Sequence, residues 1–137
     1  GFDPWRELAD YQETHTLEWA GRYGATAVFV GSLRDFNQGQ AVTGMTLEHY
    51  PGMTEGYLKK ISTEARARWE LLDTLVIHRY GPLSPGDPIV LVAVWSAHRD
   101  AAFAACRYLI DELKTRAPFW KQETTPEGVH WKEKKKS

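Results

Sequence analysis

Two stretches of the chain repeat apolar residues about every fourth position, which is the spacing of helices that bury one face. Their apolar stripes are Leu58, Ile61, Ala65 and Trp69, and Ala101, Ala105, Leu109 and Leu113. Thr54 is placed to cap the first helix. The second helix is predicted at about residues 97–115, with Ser96 as its cap. Pro118 ends it, because the residue before a proline disfavours helical backbone.

A third helical region opens the chain. Asp3 and Pro4 have the positions of a cap and a first-turn proline, which predicts a helix through about Tyr11. A second short helix is expected at about residues 17–22, before Gly24 interrupts the pattern.

Runs of apolar and β-branched residues predict the strands. The four main ones are residues 25–33, 42–50, 72–80 and 88–95, and two shorter extended pieces are residues 119–123 and 129–132. The first two strands are expected to pair as a hairpin around a loop at 35–40. The Pro85-Gly86 pair predicts a type II turn before the fourth strand, which lacks polar alternation and is expected at the sheet centre. This order of elements predicts an α+β fold.

The length and composition set the class of protein. Residues 1–137 are predicted to form a single domain with one core, since 42% hydrophobic and 26% charged residues give a globular balance. The longest apolar run, residues 89–95, is too short to cross a membrane, and we expect a cytoplasmic protein without a secretory signal. The single cysteine, Cys106, excludes an internal disulfide and agrees with a reducing compartment.

Charge is unevenly placed along the chain. The net charge is −1, which does not favour nucleic acid as a partner. Residues 1–97 hold 8 basic and 12 acidic side chains, whereas residues 98–137 hold 9 basic and 6 acidic ones. An anionic ligand is therefore expected to meet mainly the C-terminal third of the chain.

The start of the second predicted helix carries two potential cations. His98 and Arg99 lie where the helix dipole is positive, and Asp100 offsets their repulsion only in part. An anion bound there would make the positive side chains favourable at this helix end and would accept hydrogen bonds from the free backbone N–H groups. The alternative is that both side chains point into solvent.

Lys114 and Lys121 flank Pro118, so a chain reversal could bring them to one pocket. Two neighbouring ammonium groups lower each other's pKa, which would suit one of them to acid–base work. Two ordinary surface lysines are the alternative. Arg34 follows a predicted strand and could hold a phosphate, or could be a loop residue beside Asp35.

The remaining reactive side chains give weaker signals. Cys106 could relay a persulfide, but its small apolar neighbours favour a buried structural side chain. The histidines His49, His78 and His130 show no metal-ligand spacing.

Five blocks of sequence together resemble the large subunit of molybdopterin synthase, over about residues 24–131. In chain order they are Phe29-Val30-Gly31-Ser32-Leu33-Arg34, Leu47-Glu48-His49-Tyr50-Pro51-Gly52-Met53, Ile77-His78-Arg79-Tyr80-Gly81, Ser96-Ala97-His98-Arg99 and Leu113-Lys114-Thr115-Arg116-Ala117-Pro118-Phe119-Trp120-Lys121. Residues 1–23 match that family poorly, and residues 132–137 form a basic tail that is expected to be flexible.

The resemblance implies an α/β-hammerhead fold, with a mixed, mostly antiparallel sheet packed against helices. It also implies a homodimer of large subunits within a heterotetramer, each bound to a small ubiquitin-like sulfur-carrier subunit. The carrier would bring sulfur as a thiocarboxylate on its C-terminal glycine. The substrate would be cyclic pyranopterin monophosphate, which becomes the dithiolene of molybdopterin. No metal or dissociable cofactor is implied.

By the same resemblance, Lys114 and Lys121 match the two catalytic lysines. Lys114 would transfer protons or capture an acyl group, and Lys121 would stabilise negative charge. Arg34, His98 and Arg99 would hold the pterin and its phosphate, helped by the backbone of Ser32 and Leu33 and by polar groups at Gln122 and Glu123. The alternatives are a non-catalytic adaptor that binds the small subunit, and a nucleic-acid-binding module, for which no motif is present.

Overall fold

The computed structural model describes residues 2–34, 36–37, 40–41, 44–48, 53–115, 120–125 and 128–132, with side chains for 2–15, 18–34 and 53–114. Its helices are α1 (Pro4–Trp19), α2 (Met53–Arg68) and α3 (Arg99–Thr115). Its strands are β1 (Ala25–Ser32), β2 (Phe36–Asn37), β3 (Gln40–Ala41), β4 (Gly44–Glu48), β5 (Leu71–His78), β6 (Gly81–Leu83), β7 (Pro88–Ser96), β8 (Trp120–Thr125) and β9 (Gly128–Lys132).

The main sheet is built around β7. Its order is β1-β7-β5, and both pairings are antiparallel. β1 runs from the Ser96 end of β7 to its Pro88 end, since Ala25 pairs with Ser96 and Ser32 pairs with Pro88. The residues from 91 to 96 of β7 are all buried. The prediction that this strand is central is confirmed.

Both faces of this sheet are covered by helices, which explains why β7 lacks polar alternation. Val92 and Val94 point into the core formed with α2 and α3. Ala93 and Trp95 point the other way, into a second core that includes Trp19 of α1. Successive side chains of a strand alternate between faces, so one apolar strand serves both cores.

A second, four-stranded sheet has the order β6-β4-β8-β9 and is also antiparallel. A small core of Leu33, Leu83 and Ile89 joins the end of β1 to β6 and to β7. The hairpin of β8 and β9 matches the two predicted extended pieces around residues 126–127. Together these layers confirm the α+β prediction.

The predicted hairpin between residues 25–33 and 42–50 is wrong. β1 pairs with β7, and β4 pairs with β6 and β8. The predicted loop at 35–40 contains the short strands β2 and β3, which pair with each other. β1 is also less buried than expected, because it alternates and exposes Thr26 and Val28.

Two helix predictions also need correction. The first helix does not stop near Tyr11 but continues to Trp19, although Asp3 caps it as predicted, through Oδ1 to the N–H groups of Trp5 and Arg6. The separate helix predicted at residues 17–22 is therefore wrong, because residues 17–19 belong to α1 and residues 20–22 form a turn. α2 begins at Met53, so Thr54 lies inside it and is buried.

The predictions for Asp35, Pro118 and residues 133–137 lie outside the described residues. Within the part of the chain that the structure describes, none of the helices has the length and apolar character needed to cross a membrane.

Candidate functional site

Arg34 is exposed and follows a firmly anchored residue. Leu33 is buried between Leu83 and Ile89. Its N–H donates to the carbonyl of Asp87 at 2.9 Å, and its carbonyl accepts from the N–H of Gly86 at 2.8 Å. The Leu33 amide therefore has no hydrogen left for a substrate, whereas the Arg34 guanidinium is presented to solvent beside the exposed Ser32.

The anchor for Leu33 is a tight turn. The N–H of Asp87 donates to the carbonyl of Ser84 at 2.9 Å, and Gly86 has a φ of 91°. These are the features of a type II turn with Pro85 and Gly86 at its centre, as predicted. The Asp87 carboxylate also accepts from the N–H of Ser84 at 2.8 Å.

Lys114 lies at the same end of the molecule as Arg34. α3 starts just after Ser96 and runs back along β7, because Cys106 Sγ lies 4.0 Å from the carbonyl oxygen of Val92. Lys114 is eight helical residues further on, or about 12 Å. Four strand residues from Val92 to Pro88 cover about 13 Å. Lys114 is therefore level with Pro88, whose partner on β1 is Ser32.

The second sheet brings residues 121–123 towards this end. Lys121, Gln122 and Glu123 lie on β8 and pair with Leu47, Thr46 and Met45 of β4, which in turn pair with Gly81, Pro82 and Leu83 of β6. β8 is two strands away from β6, and two strand spacings amount to about 10 Å. The backbone of residues 121–123 is therefore about 10 Å from β6. Their side chains lie outside the described atoms.

His98 and Arg99 lie at the opposite end of β7. Ser96 Oγ accepts from the N–H of His98 at 3.4 Å, and the His98 carbonyl accepts from the N–H of Ala102 at 3.3 Å. Ser96 thus supports the helix start as predicted, but α3 begins at Arg99 rather than near residue 97. Both side chains are exposed, next to N–H groups of the first helical turn that have no partner within the helix.

The nine predicted site residues therefore form two groups within one chain. Eight residue steps separate Pro88 from Ser96, which is about 26 Å at strand spacing. One group contains Arg34 and Lys114, with β8 nearby, and the other contains His98 and Arg99. Among the described residues of one chain, the two groups therefore lie at opposite ends of β7.

Cys106 is buried against β7, as predicted. Burial raises the pKa of its thiol to about 11. The thiolate that a persulfide relay needs is therefore scarce at neutral pH. Among the described residues, no cluster of three or more histidine, cysteine, aspartate or glutamate side chains could hold a metal ion.

One contact near Lys114 has no counterpart in the sequence predictions. The hydroxyl of Tyr57 on α2 donates to the carbonyl oxygen of Glu112 at 3.0 Å. Tyr57 lies four residues before Ile61, on the apolar stripe of α2, and that spacing could have placed it at the interface between α2 and α3. The stripe does not show which carbonyl the hydroxyl reaches.

The comparison with known proteins decides the family. The model of the MoaE protein family matches residues 6–116. The molybdopterin synthase catalytic subunit of Pseudomonas aeruginosa is 54% identical over 132 residues, which cover 96% of this chain and 85% of that protein. The chain belongs to the MoaE family.

Solved structures of MoaE proteins share the fold. The molybdopterin biosynthesis MoaE protein from Burkholderia ambifaria matches with a TM-score of 0.79 and 46% identity, over 99% of this chain and 85% of that one. The crystal structure of molybdopterin synthase from Staphylococcus aureus matches with a TM-score of 0.77 and 36% identity, over 81% of each chain. The predicted family and the assignment as an enzyme are thereby confirmed.

Proposed function

We propose that this chain transfers sulfur from the C-terminal thiocarboxylate of a small ubiquitin-like carrier subunit to cyclic pyranopterin monophosphate. Two successive transfers to the same substrate give the dithiolene of molybdopterin. Membership of the MoaE family supports the general role, that of the catalytic subunit in molybdenum cofactor biosynthesis. The observation that supports the specific proposal is that exposed Arg34 and exposed Lys114 each follow a buried leucine and lie towards the same end of the main sheet.

The chemistry follows from the charges of the two ligands. The thiocarboxylate and the substrate phosphate are both anionic, and the guanidinium of Arg34 suits a phosphate because it donates two parallel hydrogen bonds. As sulfur bonds to the pterin, its bond to the carrier's acyl carbon must break. Lys114 either captures that acyl group or transfers a proton while water takes up the acyl group and leaves the carrier with a carboxylate, and Lys121 stabilises the developing negative charge. Gln122 and Glu123 are proposed to contact the pterin.

His98 and Arg99 enter this proposal through a second copy of the chain. About 26 Å separates the two ends of β7, which is longer than a pterin phosphate, so one chain cannot place both groups on one substrate. In a homodimer, His98 and Arg99 of one subunit can face Arg34 and Lys114 of the other. Two equivalent composite sites result, as two-fold symmetry requires.

Two further parts of the proposal concern the assembly and its place in the cell. One small carrier subunit binds each large subunit, which gives a heterotetramer with the carrier's C-terminal tail inserted beside Lys114. The reaction takes place in the cytoplasm, where a reducing environment keeps the Cys106 thiol free.

Reconstitution tests the reaction. The purified chain is mixed with thiocarboxylated carrier and the pterin precursor, and molybdopterin is assayed. A carrier that lacks its last two residues serves as the matched control, because it keeps its folded surface and loses only the reactive tail. Product with the intact carrier and none with the shortened one is the expected result. Failure to form product beside an active control enzyme would refute the proposal.

Subunit mixing tests the composite site. Arg34→Ala and Arg99→Ala are each expected to be nearly inactive alone. After unfolding and refolding together in equal amounts, half of the dimers combine one of each, and each such dimer has one intact site. Activity of about a quarter of the wild-type value is therefore expected. A mixture no more active than its components would show that both residues act within one chain.

A further inference from the structure

A hydrogen bond from α2 fixes the turn of α3 that carries Lys114. The Tyr57 hydroxyl donates to the carbonyl oxygen of Glu112 at 3.0 Å. Glu112 is two residues before Lys114, and α3 ends at Thr115. The contact joins positions 55 apart in the sequence and is partly buried.

The last turn of a helix needs such outside support. Its carbonyl groups run short of amide partners within the helix, and helix ends fray. On the inner side, buried Leu113 holds the turn against the core. Lys114 is the next residue and is exposed, so its own packing does not hold it. The Tyr57 hydroxyl supplies a directional contact to the same turn.

Tyr57 is itself held in place by the core of the protein. It lies one and two helical turns before Ile61 and Ala65, and both of these residues are fully buried. The ring of Tyr57 packs against the same core cluster. Because the ring is half-buried against the core, Tyr57 has few accessible rotamers. Its hydroxyl therefore holds a defined position beside the end of α3.

A second phenol joins the two helices further from Lys114. Tyr108 donates to Glu64 Oε2 at 2.7 Å, and its ring packs against Trp69. Burial and the hydrogen bonds to Glu64 and Glu112 raise the pKa of Tyr108. This contact fixes the middle of α3 through side chains. The Tyr57 contact reaches the backbone two residues from the lysine.

We propose that Tyr57 is a positioning residue for Lys114, acting through the Glu112 carbonyl to hold the last turn of α3 where the amine meets the carrier's thiocarboxylate. This inference rests on the proposed function, because it presumes that Lys114 performs the transfer chemistry. It adds that the catalytic geometry at the end of α3 is set from α2.

The test removes one oxygen atom. Tyr57→Phe keeps the ring in the core and removes only the hydroxyl. Tyr11→Phe is the matched control, because it deletes a hydroxyl that donates to Asp73 Oδ2 at 2.7 Å on the other face of the sheet. Tyr57→Phe is expected to lower the single-turnover transfer rate about 10-fold, because small displacements of a reacting group carry large costs. Tyr11→Phe is expected to keep the wild-type rate, and both variants should bind carrier normally.

A double-mutant comparison separates positioning from general loosening. In a Lys114→Ala background, Tyr57→Phe should cause no further loss of the residual rate, because its effect passes through the missing amine. Hydrogen exchange in residues 109–115 should rise in Tyr57→Phe and stay unchanged in Tyr11→Phe. An additive loss in the double variant, unchanged exchange, or equal rates for the two phenylalanine variants would overturn the inference.

These outcomes also distinguish the inference from the proposed function. If Lys114→Ala itself transfers sulfur at a near wild-type rate, the proposed role of Lys114 is wrong, and the positioning role goes with it. If Lys114→Ala is inactive while Tyr57→Phe is as active as wild type, only the positioning role is wrong.

Discussion

The two exposed cations at the proposed transfer site share one local design. Arg34 directly follows buried Leu33, and Lys114 directly follows buried Leu113. Each leucine fixes the backbone in a core while its neighbour carries the charge into solvent. Substitution of either cation therefore removes chemistry without opening a cavity, so the activity and the stability of such variants can be measured separately.

Lys114→Ala is expected to lower single-turnover transfer by about 10²- to 10⁴-fold, the usual contribution of a positioned acid or base. Lys121→Ala should lose less, about 10²- to 10³-fold, because neighbouring cations replace part of a charge-stabilising donor. Lys60→Ala is the matched control, since Lys60 is an exposed lysine on α2. Unfolding curves of Lys114→Ala and Lys60→Ala should both overlay the wild type. A near wild-type rate for Lys114→Ala would contradict its assignment.

Cys106→Ala is expected to keep most of the transfer activity, because the sulfur arrives on the carrier and the thiol is buried. Its loss should cost about 1 kcal/mol of folding free energy, as for a small core truncation. Inactivity in a variant that folds and binds carrier would instead support a persulfide relay.

The thiol of Cys106 also predicts a pH dependence of stability. Burial raises its pKa from 9.0 to about 11 in the folded protein. The unfolded chain therefore releases this proton first, and the stabilising contribution present below pH 9 is lost as the pH rises towards 11. Urea unfolding between pH 8 and 11 should show a smaller loss of stability in Cys106→Ala than in wild type. Parallel losses in the two proteins would contradict this linkage.

At the scale of elements, close packing where β1, β7 and α3 meet fixes the position of the chain that carries His98 and Arg99. The N–H of Gly24 donates to the carbonyl of Ser96 at 3.0 Å. A Cβ at Gly24 would lie 2.5 Å from the carbonyl oxygen of Ala97, a backbone atom. Only glycine allows this approach, which fixes the path from β7 into α3.

Gly24→Ala is expected to destabilise the fold by about 1–3 kcal/mol, as overpacking does. Gly56→Ala is the matched control, because Gly56 lies in α2 with nothing within 4 Å of an added Cβ. Removing a helical glycine there should stabilise the fold by about 0.5–1 kcal/mol. Urea denaturation measures both changes. Equal effects of the two substitutions would contradict the close contact at Gly24.

The elements were more predictable than their pairing. Helical spacing located α2 and α3, and the Pro85-Gly86 pair located the turn that anchors Leu33, because these signals are local in sequence. The partner of β1 is not local: β7 lies some sixty residues away along the chain, and the intervening strand β4 had a suitable pattern for a hairpin. The separation of Arg34 from His98 follows from that pairing. Because the pairing is not visible in the sequence, the sequence alone assigns both residues to one substrate-binding site.

At the scale of the whole molecule, α1 closes one face of the main sheet. Trp19 lies 4.9 Å from Trp95, measured between ring centroids, and Trp95 Nε1 donates to Gln12 Oε1 at 3.2 Å. Tyr11 also stacks on Trp95, with 5.5 Å between centroids. The expectation that residues 1–23 match the family poorly does not agree with the family model, which already begins at residue 6. Most of these residues form a structural cover for the central strand.

Trp19→Ala is expected to destabilise the protein by about 3–5 kcal/mol, because Trp19 is only 3% exposed and fills this second core. Trp5→Ala on the same helix is the control, since Trp5 is 61% exposed and its loss should change stability by no more than about 0.5 kcal/mol. Similar losses in both variants would show that α1 does not cover the sheet as described.

The position of β7 late in the chain also governs when the protein can begin to fold. Ala25 pairs with Ser96, which is 71 positions later, and β5 pairs with the same strand. At about 5–20 residues per second, a ribosome needs roughly 4–14 s to make the intervening chain. During that time the aromatic face of α1 has no sheet to cover. A nascent chain that ends before β7 therefore exposes the apolar residues of both cores to chaperones. Once β7 has been synthesised, the cores on its two faces can form together.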